Sequence, residues 1–203
     1  RGAGFYDRFR GRLMFPIQDA LGRTVGFGGR TLEPDAKEAK YINSPQTLIY
    51  NKSQIIYNLN RAKGAIKTED LAVVVEGYMD VISAWRVGVK NVVASSGTAF
   101  TTGQLQLLKR YSENIAFSFD TDTAGVAAAF RGIEVAFGVD VNLKVIEIPQ
   151  GKDPDECIKN NPEDFRQAIK EARPFMKYYF DTTIKGRDLK DVTQKKQVAK
   201  ILL

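Results

Sequence analysis

From Ala65 onward the chain alternates short apolar runs with longer amphipathic stretches. "LAVVV" (71–75) leads into "YMDVISAWRVG", "NVVAS" (91–95) into a Gly-Thr turn and "TTGQLQLLKRY", and "IAFSF" (115–119) into "TAGVAAAFRGIEVAFG". In the last of these Val126, Phe130, Ile133 and Phe137 recur at helical spacing. "VNLKVIEI" (141–148) follows, then a loop and a helical segment from about Pro154. Apolar runs without polar alternation are strands covered on both faces, and strands alternating with helices predict a mainly parallel α/β sheet flanked by helices. From "PEDFRQAIKEARPFMKYYF" to the end the pattern stays helical and amphipathic, the expected start of a helical subdomain. Residues 5–67 follow a different pattern. "RLMFPI" and "TVGFGG" flank "QDALGR" and predict an antiparallel pair. A polar connector, "EPDAKEAK", then leads to "YINSPQTLIYNKSQIIYNL", rich in aromatics and lysine. The expected division is a smaller basic mixed α/β subdomain (1–67), a central α/β unit (68–156) and the start of a helical subdomain (157–203).

Charge sharpens that division. The whole chain of 203 residues is +6, yet residues 1–67 carry a net +7, residues 68–156 a net −6 and residues 157–203 a net +5. Basic surface flanking an acidic centre suits a protein that grips phosphates and holds cations between. The 43% hydrophobic and 27% charged composition is that of a globular protein with a proper core, and no apolar run approaches a membrane span. One cysteine, Cys157, rules out a disulfide framework and a cysteine-based zinc site within these residues. The absence of histidine removes Ser-His-Asp catalysis, imidazole general bases and His-ligated metals. Any catalysis falls to carboxylates, lysines, arginines, hydroxyls and hard metal ions. The chain opens at Arg1 and stops at "AKILL" in a helical rhythm, so it is expected to be a piece of a longer protein.

The carboxylates fall where an open parallel sheet binds ligands, beyond the carboxyl ends of its strands. Glu76 follows the strand at 71–75, with Asp80 one helical turn on; Asp120 and Asp122 follow the strand at 115–119; Asp153 and Asp155 follow the strand at 141–148 after a loop. Taken singly each has an ordinary reading, Asp122 as a helix cap and "DPDE" as a helix start. Together they form an oxygen-only set whose mutual repulsion a cation would relieve, and such a set selects Mg²⁺ or Mn²⁺. In the basic segment, Arg8, Arg10, Arg12, Arg23, Arg30, Lys40 and Lys52 lie among aromatics and glycines. As a set they make a surface for nucleic-acid or nucleotide phosphates.

Three blocks, "VVVEGYMDVISAWRVGVKNVVASSGTAFT", "FSFDTDTAGVAAAFR" and "GKDPDE", resemble the motifs of a TOPRIM domain. "YDRFRGRLMFPIQDALGRTVGFGGR" and "KYINSPQTLIYNKSQIIYNL" resemble the basic subdomain that precedes TOPRIM in bacterial DnaG-type primases. The resemblance runs from about Phe5 to about Glu156. It implies a DNA-templated RNA polymerase that makes short primers for DNA replication in the bacterial cytoplasm. It implies divalent metal, Mg²⁺ or Mn²⁺, on Glu76, Asp80, Asp120, Asp122, Asp153 and Asp155, with Glu76, Asp120 and Asp122 catalytic. It assigns template and nucleotide contacts to Arg10, Arg12, Arg30, Lys40, Tyr41, Asn43 and Lys52. The implied partners are a single-stranded DNA template, an RNA primer, ribonucleoside triphosphates and, through a domain absent from these residues, the replicative helicase; no membrane is implied. The family's zinc ribbon is also absent, so weak initiation is expected of these residues alone. Thr121 stands where the family often has glycine, and "YNKS" where a Lys-Gly pair is common. Two alternatives stay open: another TOPRIM phosphoryl transferase, nuclease or topoisomerase, and a non-catalytic nucleotide- or DNA-binding module.

Overall fold

A computed structural model describes residue 4 and residues 6–33, 38–95, 100–119 and 139–202. Strands β1 (Arg12–Gln18) and β2 (Thr24–Thr31) pair antiparallel, and β3 (Tyr41–Asn43) adds to the far edge of β2. The β1–β2 turn closes on Asp19, whose Oδ1 accepts from the N–H groups of Leu21 and Arg23, while Gly22 takes a left-handed φ of 87°. Helix α1 (Leu59–Glu69) then turns Leu59, Ala62 and Ile66 inward at helical spacing.

The central sheet has the order β5-β4-β6-β7-β8. Its strands are β4 (Ala72–Val75), β5 (Val92–Ala94), β6 (Asn114–Ser118) and β7 (Asn142–Ile146), all parallel, closed by the two-residue β8 (Arg173–Pro174), antiparallel to β7. Helices α2 (Tyr78–Arg86), α3 (Thr102–Lys109), α4 (Pro154–Asn160), α5 (Pro162–Lys170), α6 (Phe175–Ile184) and α7 (Val192–Leu202) complete the described elements. Every residue of β4 and β5 is buried, as an uninterrupted apolar run requires. Alternate residues of β4 feed two cores. Ala72 and Val74 join Ile66, Leu105, Leu108 and Phe117 on the α1–α3 face, while Val73 and Val75 join Val81, Ala84, Cys157, Ile158 and Phe165 on the α2–α4–α5 face. A third cluster of Phe15, Ile17, Tyr50 and Tyr78 fastens the small sheet to the start of α2.

The periodicity reading differs from the structure at one place. The stretch read as continuous helix from Pro162 breaks after Lys170, and Arg173–Pro174 pair with Val145 and Lys144 of β7 before α6 begins. Proline disfavours helical conformation in the residue before it, so Arg173 adopts the extended form that pairs at a sheet edge. The amphipathic helix expected over "TAGVAAAFRGIEVAFG" lies within 120–138, outside the described residues, and most of the Gly-Thr turn after β5 lies outside them too. No helix among the described residues is long and apolar enough to cross a membrane.

Candidate active site

The chain passes from β4 to β5 on one side and then to β6 on the other, so the strand order reverses between β4 and β6. The carboxyl end of such a reversal leaves a crevice that connecting helices do not fill. Glu76 follows β4 directly at this point. Two residues later Tyr78 opens α2, and Asp80 sits buried in its first turn. Asp80 is tied to the backbone. Its Oδ2 accepts from the N–H of Gly77 at 2.9 Å, the carboxylate half of a capping box, and its Oδ1 accepts from the N–H of Asp155 at 3.2 Å. The first closes the start of α2, and the second joins it to the start of α4.

Asp153 caps α4, its Oδ1 accepting from the N–H of Glu156 at 2.8 Å. Asp155, one residue past the opening Pro154, accepts from Ser83 Oγ at 2.5 Å and from Lys159 Nζ at 2.6 Å. Ser83 is three residues after Asp80 on α2 and Lys159 four residues after Asp155 on α4, so each helix presents its acid and a partner on one face. Sequence reading did not single out Ser83 or Lys159, although the i,i+4 spacing of Asp155 and Lys159 was a signal for the latter.

Glu76, Asp80, Asp153 and Asp155 line a single cavity of about 810 Å³, facing Arg30, Lys40, Tyr41 and Asn43 from the small sheet. Lys152, Lys159 and Asn160 line it as well. An acidic wall from the parallel sheet thus opposes a basic wall from the antiparallel one. Arg30 and Tyr41 are register partners on β2 and β3, and the guanidinium lies 5.8 Å from the centroid of the tyrosine ring. Burial raises the Tyr41 hydroxyl above its ordinary pKa, against the nearby Arg30 charge.

The remaining residues singled out from sequence lie elsewhere. Arg10 and Arg12 line a separate depression of about 340 Å³ with Tyr6, Arg8 and Glu38. The Arg12 side chain is 2% exposed, and its guanidinium donates to the carbonyl of Ala39 at 3.0 Å and to the Glu38 carboxylate at 3.0 Å. It holds Glu38 and Ala39 against Gly29 of β2. Lys52 sits in the turn ahead of α1, where its carbonyl accepts from the buried Gln104 of α3 at 3.2 Å, and it does not line the acidic cavity. Asp120 and Asp122 lie outside the described residues.

The acids fit a divalent cation by chemistry, being hard oxygen donors without nitrogen or sulfur. Among the described residues no three acidic groups converge closely enough to hold a metal ion by themselves. Their charges are nonetheless felt. Burial pushes the Asp80 carboxyl up to about 6, with Asp153 and Asp155 adding to the rise and the hydrogen bonds from Gly77 and Asp155 opposing it. Asp155 is held below the usual range, since its bonds from Lys159 and Ser83 outweigh its own burial.

A stability prediction follows from Asp80. A carboxyl whose folded pKa exceeds its unfolded value keeps its proton in the native state while the unfolded chain has lost it. Between its ordinary value of 3.8 and about 6 it therefore destabilises the fold progressively as pH rises. Thermal unfolding of the metal-free protein should show Asp80→Asn gaining stability relative to the parent between those values, with the difference levelling off above about pH 7. A difference that stays flat across this window, or shrinks, contradicts the assignment.

Comparison with known proteins covers both walls of the cavity. The profile of a family described as DNA primase catalytic core, N-terminal domain, matches residues 1–63, and one described as Toprim-like matches residues 73–158. A DNA primase of Synechococcus elongatus is 42% identical over 209 aligned positions, which take in all of this chain and 30% of the relative. The crystal structure of a DNA primase domain from Pseudomonas aeruginosa superposes with a TM-score of 0.86 at 37% identity, covering 97% of this chain and 62% of that one. A DnaG primase catalytic domain solved bound to single-stranded DNA gives 0.82 at 36% identity, covering 97% and 64%. The chain thus spans about a third of the curated relative's length and under two thirds of these solved chains.

Proposed function

Because this chain belongs to the DnaG-type DNA primase family, we propose that it carries the nucleotidyl-transfer site with which such a protein makes short RNA primers on a single-stranded DNA template. The observation that supports this most directly is the opposition of the two walls: carboxylates at the switch point of a parallel sheet face Arg30, Lys40, Tyr41 and Asn43 across one cavity. A nucleoside triphosphate is itself polyanionic and needs both. The basic wall would take its phosphates, with Arg30 offering a planar fork of donors and Lys40 a point charge. The acidic wall would repel those phosphates unless divalent metal stood between, so Glu76, Asp80, Asp153 and Asp155, with Asp120 and Asp122, are the residues that would hold it.

Bound there, Mg²⁺ or Mn²⁺ supplies Lewis-acid stabilisation of charge on the transferring phosphate and activation of the attacking hydroxyl. This chain's own residues orient the reactants. Arg30 and Lys40 steady the triphosphate while pyrophosphate charge develops, and the ring of Tyr41 offers a face on which a base can stack. Asn43 offers hydrogen-bond capacity without charge. The relative solved with single-stranded DNA supports a DNA template as partner. Ribonucleotides, primer and a helicase are assigned here by family alone.

The test is extension of a primed single-stranded template with ribonucleoside triphosphates and Mn²⁺. Template-directed lengthening of the primer is expected. Metal-dependent cleavage of the template instead would transfer the site to a nuclease, and nucleotide binding without either product would make it a sensing module.

A further inference from the structure

Tyr78 stands in the chain between Glu76 and Asp80, yet its side chain belongs to the other wall. It is 3% exposed and leaves the acidic helix to enter the small sheet. Its ring stacks on Phe15 at a centroid distance of 4.8 Å and an interplanar angle of 6°, and meets the edge of Tyr57 at 4.7 Å. The hydroxyl then donates to Oδ1 of Asn43 at 2.8 Å. The backbone carbonyl of the same asparagine accepts from Nε and Nη2 of Arg8 at 3.3 and 3.2 Å, so Asn43 is held at both main chain and side chain.

The sheet is shaped to admit this contact. Gly28 is the register partner of Asn43, and a Cβ at Gly28 would lie 2.6 Å from three atoms of the Tyr78 ring and hydroxyl. The tyrosine therefore occupies the place of the side chain that β2 omits opposite Asn43. A tyrosine hydroxyl can donate or accept, and here it donates to the carbonyl oxygen of the carboxamide. That bond holds the Asn43 side chain in one place on the wall of the cavity that the asparagine lines.

We infer that Tyr78 is a positioning residue: its hydroxyl orients Asn43 for the incoming nucleotide and couples the helix bearing the acidic groups to the wall that recognises the nucleotide. This rests on the proposed reading of the cavity as a nucleotide site. Tyr78 touches no reacting group, so its effect should fall on nucleotide affinity. The rings that fill the core are unaffected by loss of one hydroxyl, which makes Tyr78→Phe the informative variant.

The measurements are the Kd of a fluorescent ribonucleoside triphosphate in Mn²⁺ and, with the longer primase carrying this segment, KM and kcat on a primed template. Tyr78→Phe should weaken nucleotide binding about 3–10-fold, the worth of one hydrogen bond, and raise KM to match. Its kcat should stay within about twofold and its Tm close to the parent's. In an Asn43→Ala background the same change should add nothing, since the group it orients has gone. Unchanged Kd in Tyr78→Phe, effects that multiply in the double variant, or a loss confined to kcat would each overturn the inference while leaving the nucleotide site standing. If the parent protein itself fails to bind the nucleotide, the reading of the cavity falls and the inference falls with it.

Discussion

Glu76→Gln should lower template-directed ribonucleotide incorporation by about 100-fold or more, because even a residue supporting a metal ligand costs 10–100-fold when removed and this one is proposed as a ligand. The substitution keeps the size and both polar atoms of the side chain and deletes one negative charge. Nothing in the fold should change much. Glu76 follows the last residue of β4, its neighbours Val75 and Tyr78 are anchored in separate cores, and the backbone there is already held by the Gly77–Asp80 bond. A Tm within a few degrees of the parent would accompany the loss. Binding of single-stranded DNA should survive, because the opposing basic wall lies on another sheet. Retention of more than about a third of the parental rate under saturating Mn²⁺ would remove Glu76 from the metal-holding set.

The second large effect is expected at Gly28→Ala. The added methyl would sit 2.6 Å from Cε2, Cζ and the hydroxyl oxygen of Tyr78, a distance no packed carbon tolerates. The ring cannot simply rotate away, being stacked on Phe15 and edged by Tyr57. Overpacking of this kind costs about 1–3 kcal/mol, which for a chain of this size lowers Tm by about 2–4 °C per kcal/mol. The functional loss should exceed the loss of stability, since displacing Tyr78 disturbs both the Asn43 contact and the start of the helix that carries Asp80. Combining Gly28→Ala with Tyr78→Leu makes room for the methyl and should recover part of the Tm without recovering nucleotide affinity. If Gly28→Ala melts with the parent, the two sheets are not locked together through this ring.

Much of this was legible in the chain. The strands at 71–75, 91–95, 115–119 and 141–148 were marked by apolar runs too short for helices and too uninterrupted for one-sided strands, and all four recur in the parallel sheet with ends shifted by no more than two residues. Placing Glu76, Asp153 and Asp155 near one rim needed only the rule that ligands gather at the carboxyl ends of parallel strands. Pro174 also stood in plain view, but local helical periodicity outweighed it, and the edge pairing with β7 depends on a strand almost thirty residues away. Arg12 shows the opposite limit. Its charge and its place among other arginines read as a phosphate contact, whereas the fold turns its guanidinium inward onto the carbonyl of Ala39 and the Glu38 carboxylate.

The sequence by itself determined the class of the sheet, the oxygen-only character of the acidic set and the segregation of basic from acidic segments, because each follows from local composition and short-range period. Only the tertiary structure decided that Arg30, Lys40, Tyr41 and Asn43 face the acids while Lys52 does not, and that Asp80 is spent partly on joining two helix starts. It also decided that Tyr78, legible in the sequence only as the start of a helical stretch, crosses to the other sheet through the gap left by Gly28. Those outcomes depend on which faces of distant elements come together, and periodicity contains no information about that.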